Sequence, residues 1–320
     1  MFLAKKLSKA TMVFILLVSS GGCFAAHFYD PPNVLVQEDD VWAKYAEPKE
    51  ITKDPVLFVG GSEGGLPTYF GAYYDLGHPV LALGYFSPNG ADAPSFIPKE
   101  FDRIPLELIG NGLSWLHKKF PDKKIAVVAG SKGAEAVMAF ASTSDRRVAL
   151  IDKALLISGG AYAFEGVLKI NTKEAKNSGH SAWTFQSAEI PFVKNANYDS
   201  LNFVDRKLKH RDYYERALSR ANSEGSAKKA VFTLDNLNHA KILFICGKND
   251  MVWASCEMIK EVINATPDKA NLELLELEEA GHVVFYANKD SESPSPVLLG
   301  NTSEAAVKKA KGKTREFLKN

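Results

Sequence analysis

Two stretches of this sequence, Ile125-Ala126-Val127-Val128-Ala129 and Ile242-Leu243-Phe244-Ile245-Cys246, are apolar without a break. A strand with one wet face alternates polar and apolar side chains, whereas a strand covered on both faces does not, so these runs call for an inner parallel sheet with helices above and below. Further β-rich runs at Pro55–Val59, Pro79–Tyr85, Ala154–Ser158 and Leu272–Leu277 alternate with helical patterns at Pro105–Phe120, Lys132–Ser142, Ala254–Ala265 and Ser303–Leu318. Strands alternating with helices are the mark of an α/β architecture with a mostly parallel central sheet and helices on both faces. With 46% hydrophobic residues in a chain of 320, there is enough apolar material for one large core. The sequence predicts a single domain over residues 27–320.

The first 26 residues read differently. Lys5, Lys6 and Lys9 precede an apolar run from Met12 to Val18, and Ser19 to Ala26 are small except for Cys23 and Phe24. A basic start, a short apolar centre and small residues make a secretory signal, which predicts export to a periplasmic or extracellular space after cleavage near Ala25. The run is too short to span a bilayer. Lipid attachment at Cys23 is the alternative, although Ser20 stands where lipoprotein signals carry Leu. Once the leader is removed, Cys246 and Cys256 remain, as a disulfide or as two buried thiols.

Composition excludes several functions. Thirty-nine Lys plus Arg against 38 Asp plus Glu leave a net charge of +1, so no global field favours nucleic acid. Three cysteines without paired short spacings exclude a disulfide scaffold and a structural zinc site. The partner expected is a small molecule. One segment interrupts the alternation: about 159–240 is polar with few strand-like runs, and carries Trp183, Phe185, Phe192, Tyr198, Phe203, Tyr213 and Tyr214. An insertion of that length in a compact domain suggests a lid or pocket wall, or else a helical cover for the sheet.

Chemistry is signalled most sharply at Val127-Val128-Ala129-Gly130-Ser131-Lys132-Gly133, where a buried strand meets a helix through small residues and a serine. So tight a turn strains the serine backbone and lifts its hydroxyl above the sheet, and its neighbours have to be small. Ser131 is the candidate nucleophile, although Ala129 replaces the first glycine of G-x-S-x-G. A serine hydroxyl needs a base, and the base an orienting acid. Asp250 and His282 each follow a predicted strand, in the order nucleophile, acid, histidine. Such positions lie at the carboxyl edge of a parallel sheet, where ligands bind. His78, His117, His180, His210 and His239 do not follow strands in that order, and Asp235, within the insertion, is the weaker orienting acid. The backbone N–H of Lys132 is one expected oxyanion donor. A second is expected from the loop Gly60-Gly61-Ser62-Glu63-Gly64-Gly65, at Ser62 or Glu63. That loop matches neither G-x-G-x-x-G nor a P-loop, so no nucleotide cofactor is expected, and the scheme calls for no metal.

With these pieces placed, the chain resembles the serine α/β-hydrolases of dienelactone-hydrolase type, and within them the carboxy-terminal catalytic domain of acyl-CoA thioesterases and bile acid-CoA:amino acid N-acyltransferases. The resemblance covers about residues 50–318. It rests on G-G-S-E-G-G at Gly60–Gly65, L-A-L-G-Y-F at Leu81–Phe86, I-P-L-E at Ile104–Glu107, G-S-K-G-A-E at Gly130–Glu135, G-K-N-D-M-V-W at Gly247–Trp253 and A-G-H at Ala280–His282. It implies an α/β-hydrolase fold and a Ser131, Asp250, His282 triad acting on an acyl thioester or ester. The chain departs from the animal members, because only some thirty residues separate Ala26 from the first predicted strand and leave no room for their β-sandwich domain. The aminoacyl-transferring members carry cysteine where this chain has Ser131, which favours hydrolysis over transfer to an amine or alcohol. A general carboxylesterase, an acyltransferase and a non-catalytic binding protein on the same scaffold are the other readings.

Overall fold

A computed structural model describes residues 29–319 apart from 89, 91, 171, 173, 197–209 and 288–298. The leader, its cleavage site and Cys23 lie outside the described residues, as do Tyr198 and Phe203. Strands β3 (Val56–Val59), β4 (Val80–Leu83), β6 (Ile125–Gly130), β7 (Ile151–Ile157), β12 (Lys241–Gly247) and β13 (Leu272–Leu277) form where the apolar runs predict them. Two more precede them, β1 (Val34–Glu38) and β2 (Val41–Ala46), so the sheet begins earlier than Pro55. The order across the sheet is β1-β2-β4-β3-β6-β7-β12-β13; the six strands from β4 to β13 run parallel, and the β1–β2 hairpin joins antiparallel at the β4 side.

Side chains of the inner strands are shared between two cores. Leu57, Val59, Leu81, Leu83, Val127, Leu156 and Phe244 face one side. Val56, Phe58, Val80, Ala82, Val128, Leu155 and Ile245 face the other. Both sides are apolar because both are covered. Helices α2 (Glu107–Lys119), α3 (Lys132–Ala141) and α6 (Ser255–Ala265) bury Leu113, Phe140 and Ile259 on the first side. Helices α1 (Gly71–Asp75) and α7 (Glu304–Lys319) bury Tyr73, Ala306, Ala310 and Leu318 on the second. Full burial of one such aliphatic or aromatic side chain contributes about 1.5–3 kcal/mol. No helix among the described residues is long and apolar enough to cross a membrane.

The insertion is more strand-rich than its sequence suggests. It holds β8 (Glu165–Leu168), β9 (Lys176–Ser181), β10 (Trp183–Phe185) and β11 (Ala188–Glu189), then α4 (His210–Ser223) and α5 (Ala227–Ala230). β10 pairs with β5 (Ile104–Pro105) in a second small sheet. Lys176-Asn177-Ser178-Gly179-His180-Ser181 has no intrinsic preference for a strand, and pairing with β8 imposes one. The strand order reverses between β3 and β6: β3 leads outward to β4, and β6 leads the other way to β7 and β12. A crevice opens at such a reversal, beyond the carboxyl ends of the strands. The loops after β3 and β6 both empty into it.

Candidate active site

Ser131 occupies the step from β6 into α3 at φ 54° and ψ −124°, a sparsely populated backbone region. Two backbone hydrogen bonds hold it there: its N–H donates to the Ile157 carbonyl at 2.8 Å, and its carbonyl accepts from Glu135 N–H at 3.1 Å. The small-residue rule of the turn resolves unevenly. A Cβ on Gly133 would collide with the backbone of Val59 and Gly60, whereas one on Gly130 would point into open space. The first motif position, Ala129, is wholly buried in the sheet and takes its methyl without conflict.

The acid and the base arrive on neighbouring loops. Beyond β12, Asp250 is anchored by its Oδ1, which accepts from the N–H groups of Val252 at 2.9 Å and Trp253 at 3.2 Å. Its Oδ2 lies 2.9 Å from His282 Nδ1, and His282 Nε2 lies 2.9 Å from Ser131 Oγ. With the imidazole proton on Nδ1, facing the carboxylate, Nε2 is left as an acceptor for the serine proton. Asp250 and His282 are 1% and 9% exposed, and Ser131 is half-buried, so the hydroxyl is the part of the trio open to the crevice. The two loops interlock: Asn249 N–H donates to the Ala280 carbonyl at 2.9 Å and Lys248 N–H to the Leu277 carbonyl at 3.0 Å. Cys246, at the end of β12, is joined by a disulfide to Cys256 on α6, with Cα atoms 5.3 Å apart; the cross-link spans the loop carrying Asp250.

On the oxyanion side, Lys132 is the first residue of α3, where backbone N–H groups have no acceptor within the helix. Across from it, Gly61 is close enough to Ser131 that a Cβ there would stand 3.3 Å from Ser131 Cβ and 3.7 Å from Oγ. The buried Tyr85 hydroxyl shapes this loop by donating to the carbonyls of Gly61 at 2.7 Å and Gly60 at 3.1 Å. Gly61 N–H donates to Glu63 Oε1 at 3.0 Å, and the Tyr69 hydroxyl donates to the same oxygen. Desolvation raises the Glu63 carboxyl above the ordinary glutamate range, against the lowering pull of backbone N–H groups and His282. Glu63 is nonetheless an exposed residue, and solvent tempers that shift. Ser62 is partly exposed on the same loop.

The remaining candidates sit elsewhere. His78 Nδ1 meets the Asp54 carbonyl, His180 pairs with Glu189, and His239 faces the Ile151 carbonyl. Asp235 is exposed on a single turn while Asp250 holds His282. His210 is near the site after all: desolvation, and then the charge of His282, depress it to about 4. It begins α4, whose Arg211 N–H donates to the Met251 carbonyl at 3.1 Å and so ties the insertion to the acid loop.

Sequence reading also missed the support beneath Ser131. The Lys132 side chain turns inward, and its Nζ meets Glu135 Oε2 at 2.6 Å. It is boxed by the rings of Trp253 at 4.8 Å, Phe164 at 5.0 Å, Tyr214 at 5.4 Å and Phe101 at 5.5 Å. Glu135 Oε1 accepts from Trp183 Nε1 at 2.8 Å, so the insertion is fastened to the helix that carries Ser131. Burial lowers the Lys132 ammonium, although Glu135 pulls it back up. The aromatic residues of the insertion were the only available signal, and they do not say which charge they enclose.

Residues 104–286 match the sequence profile of the family described as BAAT / acyl-CoA thioester hydrolase C terminal. No curated protein sequence matches the chain. Among solved structures, the Francisella virulence factor BioJ superposes with a TM-score of 0.51 at 13% identity, over 97% of this chain and 89% of that one. A candidate dienelactone hydrolase from Klebsiella pneumoniae superposes with a TM-score of 0.50 at 13% identity, over 90% and 98%. An acylaminoacyl peptidase from Pyrococcus horikoshii gives 0.49 at 12% identity; it covers 98% of this chain, which spans 43% of the peptidase. At identities this low, the first two superpositions speak to the shared fold alone.

Proposed function

The chain belongs to the BAAT / acyl-CoA thioester hydrolase C-terminal family, and on that footing we propose that it is a hydrolase that cleaves acyl thioesters or esters through an acyl-enzyme on Ser131. Ser131 Oγ attacks the acyl carbonyl carbon while its proton passes to His282 Nε2. Asp250 holds the imidazole by Nδ1 and stabilises the positive charge it gains. The oxyanion is received by Lys132 N–H and a donor from the Gly61–Glu63 loop, each such donor being typically worth about 3–4 kcal/mol. As the intermediate collapses, the proton on Nε2 goes to the departing thiolate or alkoxide. Water then attacks the acyl-serine with His282 as base, and the carboxylic acid leaves. No step requires a metal or an organic cofactor.

The single observation that carries this reading is the unbroken relay of Asp250, His282 and Ser131, both links at 2.9 Å. Export of a mature protein beginning near Ala26, as one catalytic domain over 27–320, belongs to the same proposal. It is supported by the Cys246–Cys256 disulfide, since such bonds persist in oxidising compartments.

Turnover of a panel pairing acyl-CoA thioesters with simple carboxylic esters of matched chain length tests the substrate class. Release of free acid from either set, with added amines or alcohols giving no conjugate, is the expected result. Conjugate as the dominant product would make the protein a transferase instead, and inertness of the whole panel would remove the hydrolase reading.

A further inference from the structure

We propose that Ser158 is a positioning residue for the base: its hydroxyl fixes the His282 backbone, and through it the imidazole, between Asp250 and Ser131. The proposal deepens the serine-hydrolase reading and rests on it.

Ser158 follows directly on β7, and its backbone N–H donates to the Ile245 carbonyl of β12 at 2.8 Å, so its place is set by the sheet. Its Oγ donates to the His282 carbonyl at 2.8 Å. Its own carbonyl accepts from Trp253 Nε1 at 2.8 Å. That indole lies edge-on to the His282 ring at 5.9 Å, and the backbone N–H of the same tryptophan donates to Asp250 Oδ1 at 3.2 Å. One residue therefore connects the sheet to the base and to the loop of the acid. On the opposite side, His282 N–H donates to the Leu299 carbonyl at 2.6 Å, so the backbone at the histidine is clamped from both directions.

The conformation of Ser158 makes its side chain informative. It sits at φ 48° and is 2% exposed. Glycine adopts a positive φ without a steric penalty, and any residue with a Cβ does so under strain. Were the backbone shape all that mattered here, glycine would serve better; the strained serine contributes a hydroxyl, and the acceptor of that hydroxyl is the histidine. A displacement of about 1 Å in a catalytic group can lower the rate on the order of 100-fold, so a fixed histidine backbone bears directly on turnover.

The test compares Ser158→Gly with Ser158→Ala. Both remove the hydroxyl; glycine also relieves the strain, and alanine retains it. We expect the glycine variant to melt within a few degrees of wild type, yet to show kcat lowered about tenfold or more with KM within twofold. Covalent labelling of Ser131 by a fluorophosphonate should slow in parallel. Alanine should lose the same activity with less stability, and it decides the matter if glycine fails to fold. Wild-type kcat and an unchanged labelling rate in either folded variant would overturn the proposal. Wild-type protein that the probe does not label at Ser131 would instead overturn the serine-hydrolase reading beneath it.

Discussion

Gly133 lies so close to the Gly60 carbonyl oxygen that no side chain fits between them, which brings the helix carrying the candidate nucleophile and the loop of the oxyanion side together backbone to backbone. The motif glycine two residues after Ser131 is therefore a spacer between two parts of the site. Gly133→Ala should cost about 1–3 kcal/mol through overpacking and misplace Ser131 relative to Gly61. Gly130→Ala meets nothing within 4 Å and should leave the melting temperature unchanged or slightly higher. Thermal melts and turnover of the two variants side by side check this; equal tolerance of both would contradict it.

The Cys246–Cys256 cross-link closes a loop with a sequence separation of 10 that contains Asp250. A loop of that size corresponds to about 2–3 kcal/mol in the chain-entropy account. Reduction, or a Cys246→Ser/Cys256→Ser double variant, should lower Tm by roughly 3–5 °C at the usual scaling for a domain this large. Turnover at 25 °C should survive, because the N–H groups of Val252 and Trp253 still orient the carboxylate. Scanning calorimetry with and without reductant is the measurement.

The Lys132–Glu135 pair is buried under aromatic rings, and a buried pair broken on one side leaves the other charge uncompensated. Lys132→Met alone should cost about 3–5 kcal/mol. Adding Glu135→Gln should restore much of that loss, because the amide oxygen still accepts from Trp183 and no lone charge remains. Denaturant titration of the single and double variants measures the recovery, and a strictly additive double variant would contradict the pairing.

His210 supplies a pH dependence. Its folded value is depressed to about 4 against an ordinary 6.5. Between those values the unfolded chain takes up the proton and the folded protein does not, so stability falls as pH drops from 6.5 toward 4. The full shift corresponds to roughly 3 kcal/mol, an upper bound because the residue is only partly buried. His210→Gln should lose less stability than wild type between pH 7.5 and pH 4.5, measured by Tm in matched buffers.

Much of this was legible beforehand, for physical reasons. Strands buried on both faces leave unbroken apolar runs, so Lys241–Gly247 could be placed to within a residue; Leu272–Leu277, a half-exposed edge strand interrupted by Glu273 and Glu276, was legible from its spacing after the helix at Ala254–Ala265. Loops at the carboxyl ends of such strands converge, which allowed Asp250 and His282 to be chosen from position alone. The β1–β2 hairpin escaped notice because its outer strand exposes Val34 and Leu35, the reverse of the expected pattern for a covered strand. β9 escaped because pairing, rather than composition, makes it a strand. Ser158 and the box around Lys132 were invisible because they depend on which distant residues meet. No local signal marks a serine whose φ will be positive, or a lysine whose ammonium will be enclosed.

Ser131 as nucleophile, activated by His282, is the assignment on which every other role in the site depends. Fluorophosphonate labelling followed by mass spectrometry of the modified peptide tests it most directly, on wild-type, Ser131→Ala and His282→Ala proteins shown to be folded. One adduct is expected, on Ser131, abolished in the first variant and slowed by about 1,000-fold or more in the second, with kcat falling to match. Labelling at any other residue, or labelling of Ser131 at an undiminished rate without His282, would contradict it.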